Sequence, residues 1–299
     1  MGIFESFLIF ALTILGLRFY RMTMLSSFPQ FVREDPDTHF WVANGAGSIL
    51  WDLFLLFALY AMWYLHADSK FIAVLLGSSL LFTILGWLDD GFDFSPETKF
   101  IAQTGIALIS VVLYFWARGL PFSFSGFCFS IFILVWLVNA VNFLDILDGL
   151  AGSVTLLIFL GFLALFSKTP YPVLVSLCSF WSLVLLAFLT QNIHRPRVYL
   201  GDAGAHLLGS VLFFLGMEFW REMPGIKTGT TLLLLFGFLI FDFLFVCFVR
   251  FYKKKSLWMK SQDHLALQIF FRTRSKKKTL ILFCVFQGIA SLTALFFFA

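Results

Sequence analysis

An all-α membrane bundle of about ten transmembrane helices is the fold class that this chain of 299 residues predicts. Three observations carry it. Apolar residues make up 60% of the sequence and charged ones 13%, more hydrocarbon than a water-soluble core can enclose. Ten apolar runs of near-spanning length follow one another, and the basic residues crowd into alternate connections between them. The mean hydropathy of +0.93 and the 43 phenylalanines suit helices that accept bulky side chains on every face.

The runs fall at 3–20, 45–66, 71–88, 100–117, 122–144, 149–167, 171–191, 204–220, 228–249 and 279–298. The first lacks a basic start and a small-residue cleavage site, so it is expected to be retained as a helix. The opening Gly2-Ile3-Phe4-Glu5-Ser6 fits a myristoylation pattern, for which chance is the better explanation in a chain anchored by helices. The four cysteines, at 128, 178, 247 and 284, lie inside apolar runs without paired spacing, which suggests neither a disulfide framework nor a zinc site. No soluble domain interrupts the pattern. One membrane domain over 1–299 is expected, with no nucleic-acid partner.

Charge sets the orientation. Counting Arg18 at the end of the first run, sixteen of the 21 lysines and arginines belong to the connections after the first, third, fifth, seventh and ninth runs, and five to the others. By the positive-inside rule the first group is cytoplasmic and both termini point outward. The segment 250–278 has ten basic residues and one acid, Asp263, and is expected to rest on anionic lipid headgroups.

The unusual polar residues all fall on that predicted cytoplasmic side. Asp89-Asp90-Gly91-Phe92-Asp93 closes the third run, and Lys99 follows at the start of the fourth, where a cation suits a phosphate. Asn139, Asn142, Asp145 and Asp148 recur every third residue, as a polar row winding round a helix. Capping accounts for Asp148-Gly149 but not for the whole row. Unpaired carboxylates at the edge of hydrocarbon are costly and point to a metal, a proton or a phosphate-bearing ligand. Gly201-Asp202-Ala203-Gly204 opens the eighth run, where Gly201 and Gly204 are expected to let backbone approach a ligand and Asp202 to bring a divalent cation to it. Asp242 lies within the ninth run and is expected to support the site from behind. Of the histidines at 39, 66, 194, 206 and 264, only His264, beside Asp263, stands out.

In order and spacing these motifs resemble the polyprenyl-phosphate N-acetylhexosamine-1-phosphate transferases. Asp89 to Asp93 is similar to that family's Asp-Asp-x-x-Asp motif, with the Lys99 and Gln103 positions after it. Asn139 to Gly152 resembles its Asn-x-x-Asn-x-x-Asp-Gly-x-Asp-Gly-Leu-Ala-Gly motif, and Gly201 to Gly204, with Leu208-Gly209, its Gly-Asp-Ser-Gly-Ser segment. Asp242, Arg250 and Asp263-His264-Leu265 align with the region that ends in the family's His-rich loop. The chain departs from the pattern where Ile146 replaces a Gly, Ala203 and Ala205 replace Ser, and Ala266 and Leu267 stand where His is usual.

The resemblance implies an enzyme of the inner membrane that takes a UDP-N-acetylhexosamine and a polyprenyl phosphate and releases UMP. It implies Mg²⁺, with Mn²⁺ as the alternative, held by Asp202 and Asp145. Asp89, Asp90, Asp145 and His264 would be catalytic. Lys99, Asn139, Asn142, Asp148, Gly204 and Arg250 would bind substrate. A homodimer is compatible with it. A UDP-GlcNAc-type donor for surface polysaccharide is the first expectation, and a phospho-N-acetylmuramoyl-pentapeptide donor is the alternative. Outside this class, a secondary transporter or an inactive relative would carry similar helices.

Overall fold

The structure, a computed structural model, describes residues 2–193, 195–254 and 263–298. His194 and the basic-loop residues Lys255 and Lys260 lie outside the described residues.

Each predicted run becomes helix. The helices are α1 (Ile3–Ser27), α2 (Gly47–Tyr64), α3 (Ser69–Phe92), α4 (Pro96–Arg118), α5 (Phe124–Leu144), α6 (Leu150–Phe166), α7 (Pro172–Asn192) and α8 (Gly201–Glu222), then α9 (Ile226–Leu235), α10 (Gly237–Tyr252), the short α11 (Leu265–Thr273) and α12 (Lys276–Phe298). Among the described residues eight are long and apolar enough to cross a membrane, and nine if α9 and α10 count as one span. The chain is thus an all-α, multi-pass membrane bundle. Helix α6, at 17 residues, is shorter and almost wholly enclosed.

Local sequence sets many of the boundaries. Asp68 and Ser95 accept hydrogen bonds from the first turns of α3 and α4, and Pro96 opens α4 where its missing N–H costs nothing. Gly119 closes α4 in the left-handed conformation. One run differs from expectation. The ninth is broken between α9 and α10 by a bend of 65°, and α12 compensates, because Gln287 Nε2 donates to the Leu235 carbonyl at 3.0 Å. A side chain from a neighbouring helix thereby satisfies a backbone group that lipid cannot.

Helix α8 is the axis of the bundle, with 83% of its membrane window buried, against 17% for α1 and 22% for α12. Small residues let neighbours reach its backbone. A Cβ on Gly47 of α2 or Gly86 of α3 would collide with the backbone at Asp202–Gly204, and one on Gly209 would strike Val138 of α5. Around this axis Trp181 packs between Phe54 and Phe159, with ring centroids at 5.1 and 5.9 Å.

The first connection forms an antiparallel hairpin that composition did not reveal. Strand β1 (Val32–Glu34) pairs with β2 (Trp41–Ala43) in the register Val32↔Ala43. Asp35 holds the hairpin loop by accepting from the Thr38 amide at 2.7 Å. Ala43 then bridges Val198, which seats the hairpin against the connection into α8.

Candidate active site

Four carboxylates converge at one end of the bundle, and the N-terminus of α8 gathers them. Leu200 precedes that helix and offers no capping side chain, so its exposed amides need acceptors from elsewhere. Asp90, in the last turn of α3, accepts from the amides of Asp202 and Ala203 at 3.0 and 3.1 Å. Asp145 accepts from the Gly201 amide at 3.0 Å. Gly201 has φ +69°, and a Cβ there would meet Asp90, Gly45 and Asn44. The anions at this helix N-terminus are therefore the protein's own.

With its backbone fixed from two sides, α8 presents Asp202. One oxygen accepts from Asn142 Nδ2 at 2.6 Å, and the other meets the Lys99 ammonium. Lys99 also lies 3.0 Å from Asp89 Oδ2, and Asp89 Oδ1 accepts from the Phe94 amide at 2.7 Å. Asp90 is completed by Asn44 Nδ2 at 2.8 Å, and Asn44 is steadied by Tyr20, whose hydroxyl donates to its carbonyl at 2.6 Å. The Asp202 side chain remains 25% exposed, whereas Asp90 is only 6% exposed. Asp202 keeps a partly open side chain, and Asp90 is a brace.

The Asn/Asp row divides where α5 ends. Asn139 and Asn142 are helical, but Asp145 caps α5 and Asp148 lies in the turn before α6, so the three-residue spacing does not continue along one helix. Gly149 turns the chain with φ +77°, and its amide donates to Asn192. Asn139 donates to Gln103 at 2.7 Å, Gln103 bonds His206 at 3.1 Å, and His206 Nδ1 bonds the Phe82 carbonyl at 3.2 Å. This chain crosses from α5 through α4 and α8 to α3. Burial, with the charges of Asp202 and Asp90 beside it, pushes the Asp145 carboxyl well above the usual range.

Asp148 belongs to a neighbouring cleft of about 370 Å³, lined in part by Asp35, Asp145, Asn192, Tyr199, Phe270 and Lys276. Lys276, at the start of α12, lies 2.7 Å from Asp148 and 2.5 Å from Asp37. Burial raises the Asp148 carboxyl and Lys276 opposes that rise. Tyr199 donates to Asp35 at 2.7 Å, so the hairpin closes one wall.

Other expected residues stand apart from this network. Gly204 is packed rather than open: a Cβ there would strike Leu200, and Gly47 of α2 lies beyond. Its small size serves helix packing. The Arg250 guanidinium lies over the Phe143 ring at 5.7 Å and the His264 ring meets it edge-on at 5.2 Å, next in sequence to Asn142. Burial, then the nearby Arg250 charge, lowers His264 to about 4. Asp242 is buried in α10, and its Oδ1 has no hydrogen-bond partner among the described residues. Sequence reasoning passed over Asn44, Asn192, Tyr199, His206 and Lys276. Of these, only the Asn44-Gly45 pair carries a local signal, that of a turn.

No group of three or more His, Cys, Asp or Glu residues that could hold a metal occurs among the described residues. The donor set nonetheless suits Mg²⁺, which takes one or two carboxylates together with substrate phosphates and water. Asp202 offers hard oxygens at the start of α8, where Asp145 also lies, and the lysine ammonium that meets Asp202 and Asp89 marks a place where positive charge is favoured.

Residues 72–219 match the family model of glycosyl transferase family 4. Phospho-N-acetylmuramoyl-pentapeptide-transferase of Synechococcus sp. (strain JA-2-3B'a(2-13)) is 33% identical over 177 residues, covering 51% of this chain and 50% of that protein. The protein of the same name from Microcystis aeruginosa is 31% identical, over 68% of this chain and 62% of its own length. The Bacillus subtilis protein named probable undecaprenyl-phosphate N-acetylglucosaminyl 1-phosphate transferase is 25% identical, over 67% and 58%. The chain thus spans about half to two thirds of the length of these relatives.

Proposed function

Residues 72–219 make this chain a member of glycosyl transferase family 4, and from that premise we propose that it transfers the 1-phosphate of an N-acetylhexosamine from a UDP-sugar to a polyprenyl phosphate. One observation carries the reading. Acids that lie far apart in the sequence, Asp89 and Asp90, Asp145, and Asp202, meet around Lys99 and the start of α8. The placement of the basic connections puts this end at the cytoplasmic leaflet of the inner membrane, where a soluble donor and an embedded acceptor can both arrive.

Phosphoryl transfer asks of a protein mainly position and charge. An oxygen of the lipid phosphate attacks the β-phosphorus of the donor, the bond from that phosphorus to the bridging oxygen breaks, and UMP leaves with the electron pair. Asp89 is the acid that meets the acceptor phosphate, since Asp90 is engaged by the amides of α8. The second pKa of a phosphate lies near neutrality, so a proton acceptor here contributes modestly. Lys99 holds the diphosphate, with Arg250 and His264 at its far side. Asp145 and Asp148, which line the 370 Å³ cleft, and Asn142, which donates to Asp202, hold nucleotide and sugar. Asp202, with Asp145 nearby, would hold Mg²⁺ or Mn²⁺, which would supply positive charge to offset that of the donor phosphates.

A UDP-GlcNAc-type donor is the first reading. The phospho-N-acetylmuramoyl-pentapeptide donor is the second, favoured by the names of relatives at 31% and 33% identity. The test is incubation of purified protein with Mg²⁺, undecaprenyl phosphate and a panel of UDP-sugars, with the lipid product identified by mass. A polyprenyl-diphosphate N-acetylhexosamine is expected. No lipid product with any donor would overturn the proposal.

A further inference from the structure

Between α1 and the α7–α8 connection, at the same end of the bundle, lies a second cleft of about 210 Å³ that the transfer chemistry leaves unused. Arg18 and Arg21 of α1 meet Arg197 of the α7–α8 connection there, with Leu17, Gln191 and Val198 in the lining. Arg18 and Arg21 are three residues apart and share a helix face. None of the three has an ion-pair partner among the described residues. The Arg21 Nε is buried without a hydrogen-bond partner among them.

Helix α1 faces lipid along most of its length, with Phe19 69% and Met22 71% exposed beside these arginines. A cation on such a surface is costly unless its side chain reaches the headgroup layer and finds an anion. From Arg21 the helix runs on to Ser27, roughly 9 Å at 1.5 Å per residue, a depth that a long side chain spans. The forked guanidinium geometry suits phosphate oxygens. The neighbouring apolar side chains offer a surface to acyl chains, which a free phosphate would not use.

We propose that this cleft binds the phosphate of an anionic phospholipid headgroup and that the bound lipid fastens α1 to the connection that presents Asp202. The second half of the proposal rests on the transferase reading above, and the first does not. The linkage is short. The Arg197 amide donates to the Gln191 carbonyl at 2.8 Å, and Val198 bridges Ala43, next to Asn44. Four residues after Val198 comes Asp202. On the other side Tyr20, adjacent to Arg21, holds Asn44, and Asn44 holds Asp90.

The test uses the full chain in detergent, with native mass spectrometry reading the lipid retained from added phosphatidylglycerol or phosphatidylcholine. The wild type should retain phosphatidylglycerol over phosphatidylcholine, and millimolar inorganic phosphate should not displace it. At about fivefold per charge, the triple variant R18Q/R21Q/R197Q should lose roughly a hundredfold in retention. The variant R272Q/K277Q/K278Q, which removes equal charge from exposed positions on the same face, should retain most of it. If the glutamine variant does not fold, R18K/R21K/R197K keeps the charge without the fork and should show a smaller loss. UMP release by the wild type should rise with the phosphatidylglycerol fraction. Equal retention in the two glutamine triples would overturn the site, and displacement by inorganic phosphate would overturn its assignment to a lipid. Selective lipid retention in a protein that never releases UMP would uphold the site and count against the transferase reading instead.

Discussion

Helix α8 has acids at both ends, and the two ends solve the problem of buried charge differently. At the end away from the motifs Glu218 is 1% exposed and saturated: Arg118 bonds both of its oxygens at 2.8 and 2.6 Å, Tyr114 donates at 2.8 Å, and Arg221 at 3.1 Å. Asp68 and Glu222 complete that network against the same two guanidinium groups. At the motif end, among the described residues, the Lys99 ammonium meets Asp89 and Asp202, Asn142 donates to Asp202, and Asp90 and Asp145 rely on backbone amides and, for Asp90, on Asn44. A saturated network fastens helices. An acid cluster short of positive charge is stable only if a cation or a cation-bearing substrate completes it.

Substitutions at the two ends should therefore fail in different ways. The largest effect is expected from Asp202→Asn, which keeps the shape and the Asn142 contact but removes the charge at the centre of the under-compensated cluster. UMP release should fall by about 10³-fold, the scale of losing one electrostatic element of a transition state, with the thermal unfolding midpoint held or raised. At the other end Glu218→Gln leaves Arg118 short of its buried partner and should cost roughly 3 kcal/mol of stability, read as a lower unfolding midpoint with turnover per folded molecule unchanged. If Glu218→Gln instead lowered turnover as far as Asp202→Asn, the contrast between the ends would be broken.

Lys276→Met sharpens the comparison within the motif end. Lys276 joins Asp148 and Asp37 across the neighbouring cleft and does not touch Asp202. Its loss should raise the KM for the UDP-sugar about tenfold while kcat holds, the signature of lost ground-state binding. A matching fall in kcat would instead tie that cleft to the chemical step. The smallest effect concerns pH. His264 is held neutral by burial down to about 4, against 6.5 for a free histidine. Between these values the unfolded chain binds a proton that the folded one refuses, so stability is full above 6.5 and is lost as pH falls through that window. His264→Phe should flatten the decline of the unfolding midpoint between pH 6.5 and 4, and an unchanged slope would show that another group carries it.

The sequence made the bundle legible because the length of an apolar run and the alternation of basic connections are local properties. All ten runs are helical, and the motifs expected on one face do share one end. The break after Leu235 left no mark, since Phe236-Gly237 sits in unbroken apolar sequence and its compensation comes from Gln287, fifty-two residues later. The site was legible as a set of acids but not as a division of labour. Periodicity carried the Asn/Asp row onto one helix, whereas the chain leaves α5 after Leu144 and sends Asp145 and Asp148 to different partners. Asp89 and Asp90 look equivalent in sequence. Only the arrival of α8 shows that Asp90 caps a helix while Asp89 meets Lys99. Tyr199 and Lys276 were invisible for the same reason, and Asn44 showed only a turn, because their roles depend on a hairpin and a terminal helix folding back onto the site.

The central claim is that the four-acid end of α8 transfers phosphoryl groups and the arginine-saturated end does not. It is tested most directly by measuring UMP release from a UDP-N-acetylhexosamine, with and without polyprenyl phosphate, in the wild type, Asp202→Asn and Glu218→Gln. Release that requires the lipid phosphate, persists in Glu218→Gln and vanishes in Asp202→Asn is the predicted result. Wild-type release that ignores the lipid, or turnover in Asp202→Asn equal to that of the wild type, would contradict it.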